Sequence, residues 1–297
     1  MKLILGCGYL GQRVASLWRA TSERVCAVTR SSERAKDFER TGIEPIIADV
    51  TNRAALIGKL PEAEAVLYAI GHDRGASRSM REVYVEGLKN TLDALPKNTG
   101  KFIYVSSTGV YGNFGGEWID ETAPCNPDRE GGRVCLAAEQ LLAAHPVGKR
   151  AIILRMAGIY GPGRIPRRKE LDSGEPIAAP EHGWLNLIHV DDAARVVLAA
   201  EQQAASPSAE SPRLYLVSDG QPVQRGEYFR ELARLLSAPP PRFIPPVENT
   251  PAFERAASDK RIRNAKMLAE LRVALEYPTY RVGLATILAA ERRGNQD

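Results

Sequence analysis

The first residues able to do chemistry lie at the start of the chain. Gly6-Cys7-Gly8-Tyr9-Leu10-Gly11 has the GxGxxG spacing, preceded by the apolar Lys2–Leu5 and followed by an amphipathic pattern through Leu17 and Trp18. In a strand–turn–helix context Gly6 makes the tight turn, Gly8 lets the backbone approach a pyrophosphate, and Gly11 lets helix and strand pack closely. Tyr9 and Leu10 complete the loop, and the phosphates belong at the helix N-terminus. A glycine turn without a ligand is the plainer alternative, and the flanking pattern argues against it.

The end of the second strand selects between cofactors. An Asp or Glu there accepts from a ribose 2′-hydroxyl, whereas a 2′-phosphate calls for a guanidinium and small donors. The chain reads Val28-Thr29-Arg30-Ser31-Ser32, with no carboxylate before Glu33. This favours NADP over NAD, with Arg30 and Ser31 as phosphate contacts beside Thr29. Asp49 ends the third strand and either caps the next helix or sits over the adenine. Val50, Ala69, Ile70 and Gly71 complete the expected cofactor-binding set, and His72 and Asp73 follow them at the same sheet edge.

These residues need a frame. Lys2–Leu5, 24–28, 44–48, 65–70, 101–105 and 150–154 read as strands, with helical spacing between them. Strands that read as continuous apolar runs and alternate with helices predict an α/β fold with a doubly wound parallel sheet of the Rossmann type. After residue 154 come a Gly/Pro/Arg-rich stretch, a helix near 191–200 and a strand at 214–217. The segment 201–212 reads as a Ser/Ala/Pro-rich linker, 239–251 as a turn-rich break, and 261–291 as helical tail interrupted at Pro278. The expected division is a dinucleotide-binding core at 1–161, completed by about 189–217. Residues 162–188 and 218–297 would form a small C-terminal substrate-side lobe over the carboxyl edge of the sheet.

The chain has 297 residues, 44% apolar and 26% charged, with a net charge of +4. That composition excludes disorder as the main state, and the basic excess is too small to demand nucleic acid. The longest apolar runs fall well short of the roughly 20 residues of a membrane helix. Residues 1–8 leave no room for a secretory signal. Cys7, Cys26, Cys125 and Cys135 lack metal-ligand or disulfide-framework spacing. The expectation is a cytoplasmic protein with no metal site, no membrane and no nucleic-acid partner.

Further motifs carry a resemblance. They are Tyr104-Val105-Ser106-Ser107-Thr108-Gly109-Val110-Tyr111-Gly112, the run from Leu154-Arg155-Met156 to Gly161-Pro162-Gly163, Ile188-His189-Val190-Asp191-Asp192, and Asn264-Ala265-Lys266 through Tyr277-Pro278-Thr279-Tyr280-Arg281. With the glycine motif, they make the chain similar to an extended short-chain dehydrogenase/reductase of the NAD(P)-dependent epimerase/dehydratase group along nearly its whole length. The resemblance implies an oxidoreductase or epimerase acting on a nucleotide sugar or another small carbonyl or carbinol, and often a homodimer. A nicotinamide-binding sensor or interaction protein is the alternative.

The group's chemistry uses a Ser/Thr, a Tyr, a Lys and a supporting Asn. A phenol with a pKa near 10 is a poor base until an ammonium lowers it. Ser107 falls at the Ser position. Counting back from Leu136-Ala137-Ala138-Glu139, the Lys falls on Cys135 and the Tyr on Gly131; the Asn falls on Tyr84. No Lys occurs between Lys101 and Lys149, and no Tyr between Tyr111 and Tyr160. Tyr84, Tyr111 and Arg133 are candidates near the vacated site, Arg133 as a substitute positive charge and Tyr111 more as a packing residue. His189 reads as structural, before a helix that Asp191 would cap. Arg164, Arg167 and Arg168 lie in the loop that borders substrate in the group and would clamp an anion such as a diphosphate.

Overall fold

A computed structural model describes residues 1–73, 75, 77–204, 212–248 and 250–294. Its central feature is a seven-stranded sheet. In chain order the strands are β1 (Lys2–Leu5), β2 (Val25–Thr29), β3 (Glu44–Ile47), β4 (Ala65–Tyr68), β5 (Lys101–Ser107), β6 (Ala151–Met156) and β7 (Arg213–Val217). They lie in the order β7-β6-β5-β4-β1-β2-β3. The β1–β2, β1–β4, β2–β3 and β4–β5 pairs are parallel. The chain reverses direction across the sheet between β1 and β4, and that junction opens the crevice in which sheets of this kind bind ligands.

The expected strands all form, with ends displaced by one or two residues. Helices α1 (Gly11–Ala20), α2 (Ser32–Arg40), α3 (Arg53–Leu56), α4 (Gly87–Ala94) and α5 (Glu130–Ala144) separate the first six. Both sheet faces are covered. Leu3, Leu5, Val66, Tyr68, Phe102 and Tyr104 pack in one cluster with Leu88 and Leu92 of α4 and Val134, Ala138 and Leu142 of α5. The alternate residues Ile4, Leu67 and Ile103 are fully buried as well. Burial on both faces is why these strands read as continuous apolar runs.

The chain divides into two compact units. The first comprises 1–110, 130–155 and 194–215, and the second 111–129, 156–193 and 216–297. Residues 111–129 thus belong to the second unit although only residues 108–110 separate them from β5. That unit is built from short paired strands, among them Gly158–Tyr160 with Leu187–His189 and Trp118–Ile119 with Arg261–Ile262. Its core joins Tyr160, Leu187, Tyr228, Phe229 and Leu232 to Tyr280, Leu284 and Ile287 of the helix Tyr280–Gly294.

The helix near 191–200 runs Val190–Gln202. Most of the 201–212 linker, residues 205–211, lies outside the described residues. At the start of that helix the ring Nδ1 of His189 accepts from the amide of Asp191 at 3.3 Å. Asp192 accepts from the amides of Glu276 and Tyr277. Among the described residues no helix is long and apolar enough to cross a membrane, and no His, Cys, Asp and Glu side chains group to hold a metal.

Candidate functional site

The glycine loop joins β1 to α1 with each glycine under a different constraint. Gly6 has φ +93°, and a Cβ there would lie 2.4 Å from the carbonyl carbon of Ala69. That approach holds the loop against the end of β4. At Gly11 a Cβ would meet the Gly6 oxygen at 2.6 Å and the Ile4 side chain at 3.3 Å, which is the close helix–strand packing the motif requires. At Gly8 and Gly71, by contrast, nothing lies within 4 Å of a built Cβ. Helix α1 has no side-chain cap and no acid in its first turn. Open space beside Gly8, next to an uncapped and partly positive helix end, fits a dinucleotide pyrophosphate.

Within the loop, Leu10 is buried and serves packing. Tyr9 is half-buried under the guanidinium of Arg13, whose Cζ lies 4.4 Å from the ring centroid. Ala69 and Ile70 are half-buried, and Gly71 is exposed.

At the end of β2 the Thr29 hydroxyl accepts from the Ser31 amide at 3.2 Å. Ser31 in turn caps α2, its hydroxyl accepting from the Arg34 amide at 3.2 Å. Arg30 is exposed. The Arg34 guanidinium reaches back to the glycine loop and donates to the Cys7 carbonyl at 2.7 Å. Asp49 does not cap the following helix: its carboxylate closes a turn by accepting from the Thr51 amide and hydroxyl, and Asn52 caps α3. Val50 is buried, and its carbonyl accepts from the Asn90 side chain.

At the end of β5 the Ser107 hydroxyl accepts from the Gly109 amide at 3.0 Å. Its neighbour Ser106 turns inward and donates to Glu139 of α5 at 2.5 Å. Arg155 of β6 meets the same carboxylate with both Nε and Nη2, the closest approach being 2.7 Å. All three residues are buried. Gly131, Arg133 and Cys135 lie one and two turns before Glu139 on α5, with Arg133 exposed and Cys135 half-buried. A Cβ at Gly131 would lie 3.5 Å from the Met80 sulfur, an ordinary van der Waals contact.

Burial pushes the Tyr104 phenol well up, with Cys135 and Glu139 among the neighbours that add to the shift. Tyr104 is therefore no base at neutral pH. Tyr84 lies in a π-helical turn, Glu82–Glu86, and its hydroxyl accepts from the His72 amide at 2.9 Å. Such turns widen a helix locally and often mark functional positions. His72 Nε2 lies 2.9 Å from the Arg78 carbonyl, which can only accept, so that nitrogen carries the proton. Tyr111 is fully buried in the second unit, as a packing residue would be.

In that second unit, Arg167 pairs with Glu170, and Arg168 with Glu291 and Asp172. Arg164 is exposed. Lys260 is buried and donates to the Gly112 carbonyl at 2.7 Å and the Ser258 hydroxyl at 2.6 Å; desolvation lowers its pKa to about 8. Asp219, with its Oδ2 buried and unpartnered, is raised to about 8 by desolvation, with Asp192 adding to the shift.

Sequence reasoning missed Arg34, Met80 and the Glu139–Arg155 pair. Glu139 and Arg155 stand inside quoted motifs, but spacing alone does not pair residues 16 apart on different elements. For Arg34 the signal was a basic residue in a helix first turn, where acids are favoured.

The profile of the NAD dependent epimerase/dehydratase family matches residues 3–215. Protein YeeZ of Escherichia coli K12 is 26% identical over 280 residues, covering 93% of this chain and 95% of its own length. A provisionally named NAD-dependent epimerase/dehydratase from Methylobacillus flagellatus is 34% identical, covers 98% of each chain and superposes with a TM-score of 0.77. UDP-glucose 4-epimerase of Thermotoga maritima, solved with UDP-glucose, shares the fold at a TM-score of 0.81 and 18% identity, over 99% of this chain and all of its own. The crevice at Gly6 and Ala69, the seven-stranded sheet and the extent of these matches agree, and the chain belongs to the NAD-dependent epimerase/dehydratase family of short-chain dehydrogenase/reductases.

Proposed function

We propose that the protein is an NADP-binding oxidoreductase that reduces or oxidises a small carbonyl or carbinol compound, a nucleotide sugar being the first class to test. The observation that carries the reading is the open space beside Gly8 at the uncapped end of α1. The amide end of α1 would hold the pyrophosphate, with Ala69, Ile70 and Gly71 along the facing loop. Arg30 and Ser31, with no acid before Glu33, support NADP over NAD. The nicotinamide supplies or accepts the hydride. Ser107 holds the substrate oxygen by hydrogen bond. With Gly131 and Cys135 at the positions of the usual Tyr and Lys, the proton at that oxygen comes from water or from a group other than that pair. Such relays typically contribute about 10²–10⁴-fold, so slow reduction remains within reach of this site. Arg164, Arg167 and Arg168 are the residues proposed to contact an anionic substrate.

A second reading, a nicotinamide-binding sensor without turnover, is favoured by Gly131 and Cys135 standing where the group's Tyr and Lys are expected. The two readings are separated by titrating the full chain with NADPH, NADP⁺, NADH and NAD⁺, followed by NADPH oxidation assays against a panel of nucleotide sugars. Preference for the phosphorylated pair and turnover lost in Ser107→Ala with cofactor binding intact would support the oxidoreductase. Tight binding with no turnover on any substrate would support the sensor, and absence of binding by all four nucleotides would end both.

A further inference from the structure

A turn in the second unit holds a serine hydroxyl against a buried amine. Ser258 ends the helix Pro251–Ala257, and Lys260 leads into the strand Arg261–Ile262, which pairs in parallel with Trp118–Ile119. The Lys260 Nζ lies 2.6 Å from the Ser258 Oγ and 2.7 Å from the Gly112 carbonyl oxygen, and the same carbonyl accepts from the Ser258 hydroxyl at 3.2 Å. Three polar atoms thus close a triangle. Its carbonyl corner is fixed: Gly112 has φ +69°, and a Cβ there would clash with the Asn126 carbonyl. Asp259, between the two side chains, is held elsewhere, its carboxylate accepting from the Trp184 amide at 2.7 Å and its carbonyl from the amides of Phe114 and Gly116. The Lys260 amine is therefore buried against neutral oxygens, while Ser258 is half-buried.

We infer that Ser258 and Lys260 are a nucleophile and its base, which take the acyl group of small activated esters and pass it to water. This activity is independent of the nicotinamide reading. A nucleophilic hydroxyl needs a base within about 2.6–3.2 Å, and a lysine serves only as the neutral amine, since the ammonium has no lone pair. Desolvation and the nearby Arg129 favour that neutral form and lower Lys260 to about 8, against the opposing pull of Asp128 and Asp259. Once neutral, Nζ keeps its donor bond to Gly112 and accepts the Ser258 proton, being nearer to Oγ than the carbonyl is. In the acylation step a bond forms from Oγ to the ester carbonyl carbon, and the proton moves from Oγ to Nζ. The bond to the leaving alkoxide then breaks, and Nζ returns the proton to it. Water repeats the sequence on the Ser258 ester, releases the carboxylic acid and restores the hydroxyl. The buried Arg225 guanidinium donates to the carbonyl of Ser258 itself at 3.3 Å and to that of Ala256 at 3.2 Å, so this turn also carries positive charge of use to a tetrahedral oxyanion.

The test uses the full chain with p-nitrophenyl acetate and no nucleotide, read by peptide mass spectrometry and by nitrophenol release. An acetyl group is expected on Ser258, formed at a rate that rises with pH and levels off above about 8, once Lys260 has lost its proton. Ser258→Ala should lose that label. Lys260→Arg keeps a buried cation and its donors but offers no base, so labelling should slow by about 10²–10⁴-fold in protein whose circular dichroism matches the wild type. If Lys260→Arg does not fold, the pH profile of the wild type decides, and a rate without a plateau above about 8 overturns Lys260 as the base. Acetyl groups on other side chains but none on Ser258, nitrophenol release undiminished in Ser258→Ala, or a folded Lys260→Arg labelled as fast as the wild type would each overturn the pair.

Discussion

Glu139 on helix α5 and Arg155 on strand β6 form a buried, two-pronged ion pair, with a closest approach of 2.7 Å, and Ser106 donates to the same carboxylate. The pair joins β5, α5 and β6, and therefore spans the elements that carry Ser107, Gly131 and Cys135. Breaking one side of it leaves a buried charge without compensation.

Glu139→Gln is accordingly expected to lower stability by about 3–5 kcal/mol, measured by urea unfolding. Glu139→Leu with Arg155→Met, which removes both charges, should recover most of that loss. A double variant as unstable as Glu139→Gln would show that the pair does more than neutralise itself.

The glycines of the loop should separate folding from binding. Gly6→Ala forces a side chain into φ +93° and against the Ala69 backbone, so it should cost more than about 3 kcal/mol or prevent folding. Gly8→Ala meets nothing within 4 Å and should melt within a few degrees of wild type. Its methyl would enter the pyrophosphate space, so dinucleotide affinity should fall by roughly tenfold or more, read by nicotinamide fluorescence. Unchanged affinity in Gly8→Ala would move the phosphates elsewhere.

Installing Tyr and Lys at 131 and 135, where the family resemblance expects them, also tests the neighbouring Met80. Gly131→Tyr with Cys135→Lys places a phenol against Met80, whose sulfur is 3.5 Å from the new Cβ. Hydride transfer should therefore rise little in that double variant and more once Met80→Ala is added. Equal activity with and without Met80→Ala, in a rate assay on NADPH, would show that Met80 is no obstacle.

Two buried groups give opposite slopes in stability against pH. Asp219 rises from 3.8 to about 8 on folding, so between those values the native state holds the proton that the unfolded chain has lost. Stability therefore falls as pH rises from about 4 to 8, and Asp219→Asn should flatten that limb. Lys260 falls from 10.5 to about 8, so between those values the unfolded chain binds the extra proton. Stability then rises with pH in that window, and Lys260→Met should remove the rise. Urea midpoints at four pH values from 5 to 10 check both signs, and parallel curves for wild type and variants would refute them.

The sequence by itself determined the parallel α/β sheet, because strands buried on both faces must be apolar throughout, and the crossovers between them must carry helical periodicity. It also determined the glycine loop, since only glycine meets the close approaches at Gly6 and Gly11. The absence of Tyr and Lys near 131 and 135 was legible for the same reason: it is a matter of residue identity at a spacing. What the tertiary structure alone decided is which charges are taken. That Glu170 stands beside Arg167 and Glu291 beside Arg168 is one such case. Arg34 went unremarked until its guanidinium is found on the Cys7 carbonyl. Periodicity reports which face a residue lies on within its own element. Partners brought together from distant elements depend on side-chain reach and burial, which a linear pattern does not encode.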